Sequence, residues 1–258
     1  MMRMLIASTG VLCVLFLAAP HAWTKAKRGS TDTGGDELVR MGVVAANSGD
    51  TDQALELFSS CLDRSKSNVE ARYNRGKVYL LVGDLKHAAN DLDRAIKLDS
   101  GLAGAYSARS IVHRRMGNLA KASKDLNKAL ELDPDDPIAL MNRADLSFVN
   151  GDYDEALADL ERIIKTNPSM TRALGNRAYI LEQIGRYDDA IKDLSAIIAL
   201  QPDNLQAIKH LGFVYRQKGN PSEAVRWYTA ALKLDPDKDR RNLLNQEVQE
   251  MQRRARAK

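Results

Sequence analysis

The chain has 258 residues, 44% hydrophobic and 28% charged, with aromatics at only 5% and a formal net charge of +4. The basic excess lies at the ends: residues 35–238 hold 28 Lys and Arg against 30 Asp and Glu, and the flanks hold ten against four. A charge distributed in this way is no sign of a nucleic-acid surface, and no nucleic-acid partner is expected.

Met1 to Ala22 reads as an export signal. Arg3 supplies the basic start, and Leu5 to Ala19 is apolar apart from Ser8, Thr9 and Gly10, a length that suits a signal core better than a bilayer span. Cleavage after Ala22 puts Pro20 at −3, and cleavage after Ala19 puts Leu17 there. Neither is a small residue, so removal and retention as an N-terminal anchor both stay open. Gly10, Val11 and Leu12 before Cys13 do not resemble a lipobox. Residues 23–34, with Lys25, Lys27 and Arg28 followed by Ser, Thr and Gly, read as a flexible tether. The expected location is exported: periplasmic or secreted, or membrane-tethered through the N-terminus.

From residue 35 the chain repeats every 34 residues. Gly49, Gly83, Gly117, Gly151, Gly185 and Gly219 recur in step, as do Ala54, Ala88, Ala122, Ala156, Ala190 and Ala224. This divides 35–238 into six copies: 35–68, 69–102, 103–136, 137–170, 171–204 and 205–238. Each copy reads as two helices, A and B. In the fourth, Asp136 is the expected N-cap of helix A with Pro137 at its first position. Asn150-Gly151 makes the turn, and Asp152 caps helix B with Glu155 at capping-box spacing. Asp50, Asp84, Asn118 and Asn220 hold the same cap position, and Arg186 departs from it. Pro134, Pro168, Pro202 and Pro236 close helix B, whereas the first two copies have Lys66 and Ser100 there. Cys61 falls where later copies have alanine or isoleucine, so a buried apolar role is expected. Residues 239–258 depart from the repeat. Their Leu244, Val248 and Met251 form one helical stripe, suited to capping the last repeat, followed by a basic end.

A 34-residue period with this pattern resembles the tetratricopeptide repeat (TPR) family. The resemblance implies an all-α, right-handed solenoid of six helix-turn-helix repeats with a C-terminal capping helix.

Comparing the copies with one another exposes a coupled pair of positions. Copies two to five carry Arg75, Arg109, Arg143 and Arg177 on helix A and Asp91, Asp125, Asp159 and Asp193 on helix B. The outer copies are apolar at both places, Met41 with Leu57 and Leu211 with Trp227. An Arg–Asp bridge inside each middle repeat is the expected reading, and it removes eight charged residues from the functional candidates.

In proteins that this chain resembles, helices A line a concave groove that holds a partner peptide or helix. Carried over, the groove residues are Tyr73, Asn74, Lys77, Ser107, Ile111 and Arg114, then Met141, Asn142, Asp145 and Phe148. They continue with Arg172, Asn176, Tyr179 and Glu182, then Lys209, His210, Phe213 and Arg216. Tyr73, Phe148, Tyr179 and Phe213 read as exposed aromatics suited to side-chain pockets, or else as packing against the next repeat. Asn74, Asn142 and Asn176 could bond an extended backbone. A clamp for a C-terminal carboxylate, as in some family members, finds only Asn142, Arg172 and Asn176 of its five places suitably filled. His21, His87, His113 and His210 lie apart, and no hydrolase, metalloprotease or phosphate-loop motif occurs. No enzyme activity, cofactor or metal is expected. The function read here is a protein–protein interaction adaptor of the cell envelope, binding a partner peptide or helix in the groove. The alternative is an accessory subunit of an envelope enzyme complex, in cell-wall or polysaccharide assembly, docking through its convex face or cap.

Overall fold

The computed structural model describes residues 33–256 other than Pro236. The export-signal reading of residues 1–22, and the tether as far as residue 32, lie outside the described residues. Those described form thirteen helices and no strand: α1 Thr33–Asn47, α2 Thr51–Arg64, α3 Val69–Val82, α4 Leu85–Leu98, α5 Ala103–Arg115, α6 Leu119–Leu132, α7 Pro137–Asn150, α8 Tyr153–Thr166, α9 Thr171–Gln183, α10 Tyr187–Leu200, α11 Leu205–Gln217, α12 Pro221–Leu234 and α13 Lys238–Arg256. The described residues divide into two compact units, the first ending at Ala139 and the second beginning at Leu140. Odd-numbered helices up to α11 are helix A of a repeat, and even-numbered ones are helix B.

The recurring glycine ends helix A. All six have φ between 77° and 88°, a backbone region open to glycine but strained for other residues. The next residue's amide then reaches back to a carbonyl five positions earlier, as in Asp84 N to Tyr79 O at 2.9 Å and Arg186 N to Leu181 O at 2.8 Å. This satisfies a helix-end carbonyl. Helix B ends alike in all copies, with the capping amide bonded four residues back: Ser65 to Cys61 and Asp99 to Ala95, just as Asp133 to Ala129. The proline is therefore not what stops the helix, and the first two copies close at the same place without it.

The small residues set how closely A and B approach. Where helix B carries an aromatic, helix A carries glycine. A Cβ added at Gly42 would stand 2.6 Å from Phe58, and one at Gly212 would stand 2.7 Å from Tyr228. Where helix B carries Leu126, Leu160 or Leu194, helix A has room for Ser110, Ala144 and Ala178. The repeated alanines Ala54, Ala88, Ala156, Ala190 and Ala224 are wholly buried, as are Phe58, Leu92 and Leu160. Cys61 is also wholly buried, its thiol 3.5 Å from the Gly35 carbonyl. α1 takes in Thr33 and Gly34, two residues expected in the tether, and Gly35 is buried against Cys61.

All four expected Arg–Asp pairs form, each bidentate. Arg75 donates Nε to Asp91 at 2.7 Å and Nη2 at 3.0 Å. Arg109 reaches Asp125 at 2.8 and 2.7 Å, and Arg143–Asp159 and Arg177–Asp193 repeat those distances. The carboxylate raises each of these guanidinium pKa values, chiefly through the hydrogen bonds themselves. A second role was invisible in sequence: the remaining nitrogen reaches into the preceding repeat, Arg75 to Ser59 at 3.0 Å and Arg109 to Asp93 at 2.7 Å. The outer copies are less uniform than expected. Leu211 is fully buried, but Met41 is 44% exposed, because α1 has no described helix before it to cover that side.

The caps divide. Asp50, Asp84 and Asn220 accept from the amides of Gln53, His87 and Glu223. Asn118 and Asp152 make no such bond, against expectation. At Asp152 no capping box can close, since its amide bonds Ser147 O at 2.8 Å, and Glu155 accepts instead from Ser147 Oγ at 2.6 Å and lies 3.8 Å from Arg143. In the second unit Leu244 and Val248 of α13 are buried with Ile208, Ala224, Tyr228 and Ala231, and Met251 packs against them.

Candidate functional site

The face lined by helices A differs between the units. In the first, α3 lies between α1 and α5. Tyr73 is half-buried, with its hydroxyl 2.6 Å from where a Cβ on Gly104 would stand, so a glycine on α5 makes room for it. Burial, and secondarily Asp136, pushes that phenol up to about 12. One turn on, the Lys77 amine lies 4.9 Å from the centre of the Tyr73 ring. Lys77 is only 7% exposed and has neither ion pair nor hydrogen bond among the described residues. Burial alone brings the amine down to about 8. Asn74 and Ile111 are buried, Arg114 is half-buried, and Ser107 Oγ is buried without a partner.

In the second unit most of the same positions are engaged. Asn176 donates to Asp145 Oδ1 at 3.2 Å and lies 3.3 Å from Met141 Sδ. Phe148 meets Tyr179 edge-on at 5.4 Å and Tyr153 at 5.8 Å, and Tyr179 lies 6.4 Å from the His210 ring. His210 Nε2 pairs with Glu182 at 2.5 Å. Burial, then Glu182, raises the Tyr179 phenol. Arg216 stacks on Phe213 at 5.0 Å and lies 3.5 Å from Glu247 of α13. Lys209 lies 3.8 Å from the buried Asp235. Met141 and Asn142 are buried, the Asn142 amide nitrogen without a partner, and Arg172 is exposed. Beside this face, Gly151, Asp152, Tyr153, Asp154, Glu155 and Ile184 line a cleft of about 670 Å³.

Two expectations change. Tyr73, Phe148, Tyr179 and Phe213 are half-buried rather than exposed. Phe148 and Tyr179 pack on each other, edge to face, from successive repeats. The asparagine row is not uniformly available either, since Asn176 spends its amide on Asp145. Among the described residues no three His, Cys, Asp or Glu side chains gather as metal ligands. No described helix is long and apolar enough to cross a membrane.

The tetratricopeptide repeat model matches residues 39–103, 108–171, 148–204 and 176–239. The chain belongs to the tetratricopeptide repeat family. Tetratricopeptide repeat protein 36 of Xenopus tropicalis is 37% identical over 78 residues, 30% of this chain and 38% of that protein, and the human protein of that name is 36% identical over 77 residues. The chain thus spans about two fifths of the length of these relatives. Among solved structures, Pseudomonas aeruginosa pilF superposes with a TM-score of 0.71 at 18% identity, over 84% of this chain and 97% of its own. YrrB, described as a TPR protein with an unusual peptide-binding site, superposes at 0.64 and 22% identity, over 76% and 100%. At such identities the likeness is one of fold. Proteins of this family are generally non-enzymatic scaffolds for protein–protein interaction.

Proposed function

We propose that this TPR protein is an adaptor of the cell envelope, directed there by its N-terminal segment, that binds an extended peptide or helix of a partner along the helix-A face. The observation that carries this reading is the Phe148–Tyr179–His210 series on successive helices A, with Asp145 and Glu182 beside it. Half-buried aromatics held by neighbours are rigid anchors that lose little entropy on binding, and adjacent polar groups can fix the ligand's register. The export reading rests on Arg3 and the Leu5–Ala19 apolar run.

The test is capture of partners by the full chain from solubilised envelopes of its own host, beside a Tyr179→Ala/Phe213→Ala version. A partner held by the parent and lost in the double variant is the expected result. A partner held equally by both would move the site to α13 or the opposite face, the arrangement expected of an accessory subunit. Recovery of the chain in the cytosolic fraction would remove the envelope assignment.

A further inference from the structure

We propose that the A–B turns of copies two and three form a docking surface for an anionic lipid bilayer. Leu81, Val82, Met116 and Leu119 would enter the headgroup boundary, and Lys86 and Lys121 would meet the lipid phosphates. The surface uses no groove residue and does not depend on the groove reading.

In copy two α3 ends at Val82 and α4 begins at Leu85, and in copy three α5 ends at Arg115 and α6 begins at Leu119. The two turns lie side by side, because Arg115 donates Nη1 to the Leu80 carbonyl at 2.9 Å. Leu81, Val82, Met116 and Leu119 are each between 37% and 48% exposed. Four large apolar side chains on adjoining turns make a patch that folding leaves in water.

The charges around the patch are one-sided. Residues 81–88 and 115–122 hold Lys86, Arg115 and Lys121 against Asp84 alone, and Asp84 is taken by the amide and ring nitrogen of His87. Lys86 and Lys121 are exposed and stand in the first turns of α4 and α6, where the positive end of the helix disfavours a cation. These are the two helices B whose first turn has no acid. The same turn elsewhere carries Asp52, Asp154 with Glu155, Asp188 with Asp189, or Glu223. A departure from a local rule that brings no return in packing marks a place put to another use. Copies four and five supply the contrast. Their turns, 149–156 and 183–190, also expose Val149 and Ile184, but they carry five acids against Arg186.

Apolar tips among lysines suit a bilayer interface. Lysine stems lie along the acyl boundary while their amines reach the phosphates, and anionic lipid attracts each cation. A flat lipid surface meets both turns at once, and the export reading of residues 1–22 brings the chain to one.

The test places a polarity-sensitive fluorophore at Met116→Cys in the full chain, with Cys13→Ser and Cys61→Ala removing the native thiols. The label reads this surface even where residues 1–22 themselves enter the vesicle. Vesicles are of phosphatidylcholine alone or with an equal part of phosphatidylglycerol, and polyglutamate stands for an acidic protein. The expected result is a blue shift with the phosphatidylglycerol vesicles, none with phosphatidylcholine alone, and none for the same label at Val149→Cys. Lys86→Glu/Lys121→Glu should weaken vesicle binding read by the Met116→Cys label about tenfold or more. Those changes give α4 and α6 the acids that other helices B carry, so the helix starts favour them and the loss is not one of folding. A label unmoved by the anionic vesicles, moved equally by phosphatidylcholine, matched at Val149→Cys, or indifferent to the charge reversal overturns the proposal. A label moved by polyglutamate and not by vesicles also overturns it, and assigns the surface to an acidic protein.

Discussion

In the first unit the helix-A face holds a buried lysine without a counter-ion and a serine hydroxyl without a partner. In the second, the corresponding face holds Asn176 on Asp145, His210 on Glu182 and aromatics stacked in series. Both units use one 34-residue template, and their cores hardly differ: alanine and leucine between the helices, and an Arg–Asp pair in each middle repeat. The difference lies in side chains the core does not need. Repetition fixes the scaffold cheaply, leaving each copy's outward positions free to take on chemistry. One face is left electrostatically incomplete, and the other is largely complete before any ligand arrives.

The largest expected effect bears on what the units share. Asp125→Ala removes the bidentate partner of Arg109, whose side chain is 19% exposed and keeps only its Asp93 bond, and should lower stability by about 3 kcal/mol. Replacing both partners, Asp125→Leu with Arg109→Leu, should cost far less, since the outer copies use apolar residues at these places. Urea unfolding of the three proteins decides it, and equal losses from both variants would refute the pairing argument. Arg109 also holds Asp93, whereas Arg177 in the second unit donates to Asp193 alone among the described residues. Asp193→Ala should therefore be the costlier single change of the two.

Next comes the lysine itself. Lys77 has a folded-state pKa of about 8, depressed by burial from 10.5. Below pH 8 both states are charged, and the folded state carries the full cost of the buried ammonium. Between pH 8 and 10 the unfolded chain keeps a proton that the folded chain has released, so stability rises with pH. The cost relieved corresponds to about 3 kcal/mol, given about 1.4 kcal/mol per pKa unit. Lys77→Met should thus be more stable than the parent at pH 7 and should lack the rise between pH 8 and 10. Parallel pH–stability curves for the two proteins would show that the amine is not desolvated. Above pH 10 the raised Tyr73 phenol acts in the opposite direction, so the window ends there.

Much of this was readable beforehand because repetition lets six copies be compared with one another. The Arg–Asp pairs, the turn glycines and the buried Cys61 all followed from position alone. Periodicity does not report how near one helix A lies to the next, and that distance decides burial. Tyr73, Phe148, Tyr179 and Phe213 looked exposed because a helix considered alone has an open side. Lys77 looked like one groove residue among many for the same reason. The additional arginine bonds to Ser59 and Asp93 were missed because those two residues share a repeat position but no chemistry beyond oxygen acceptors. The glycine-for-aromatic exchange could have been seen, since Gly42 and Gly212 accompany Phe58 and Tyr228 in sequence.

That exchange gives a smaller effect. Gly212→Ala should cost about 1–3 kcal/mol by forcing Tyr228 aside, because the new Cβ would lie 2.7 Å from its ring. Adding Tyr228→Leu recreates the Ala178 with Leu194 arrangement of the preceding repeat and should recover most of the loss. A double variant as unstable as the single one would mean that the backbone separation, rather than the side-chain pair, is what differs between copies.

The smallest effect separates the units at their helix starts. Asp50 in the first unit accepts from the Gln53 amide at 3.0 Å, so Asp50→Ala should cost about 1 kcal/mol. Asp152 in the second holds the same repeat position with nearly the same backbone, φ −83° against −80°, yet makes no cap bond. Asp152→Ala should therefore be nearly neutral. No competing side chain accounts for this, because the Asp152 amide that a capping box would bond already reaches Ser147 O at 2.8 Å, as the Asp50 amide reaches Ala45 O at 2.9 Å. The difference lies in the backbone: ψ is 79°, 78° and 81° at Asp50, Asp84 and Asn220, which bond, and 65° at Asn118 and Asp152, which do not. Urea unfolding should show the loss for Asp50→Ala alone, and equal losses from Asp50→Ala and Asp152→Ala would refute the backbone as the cause.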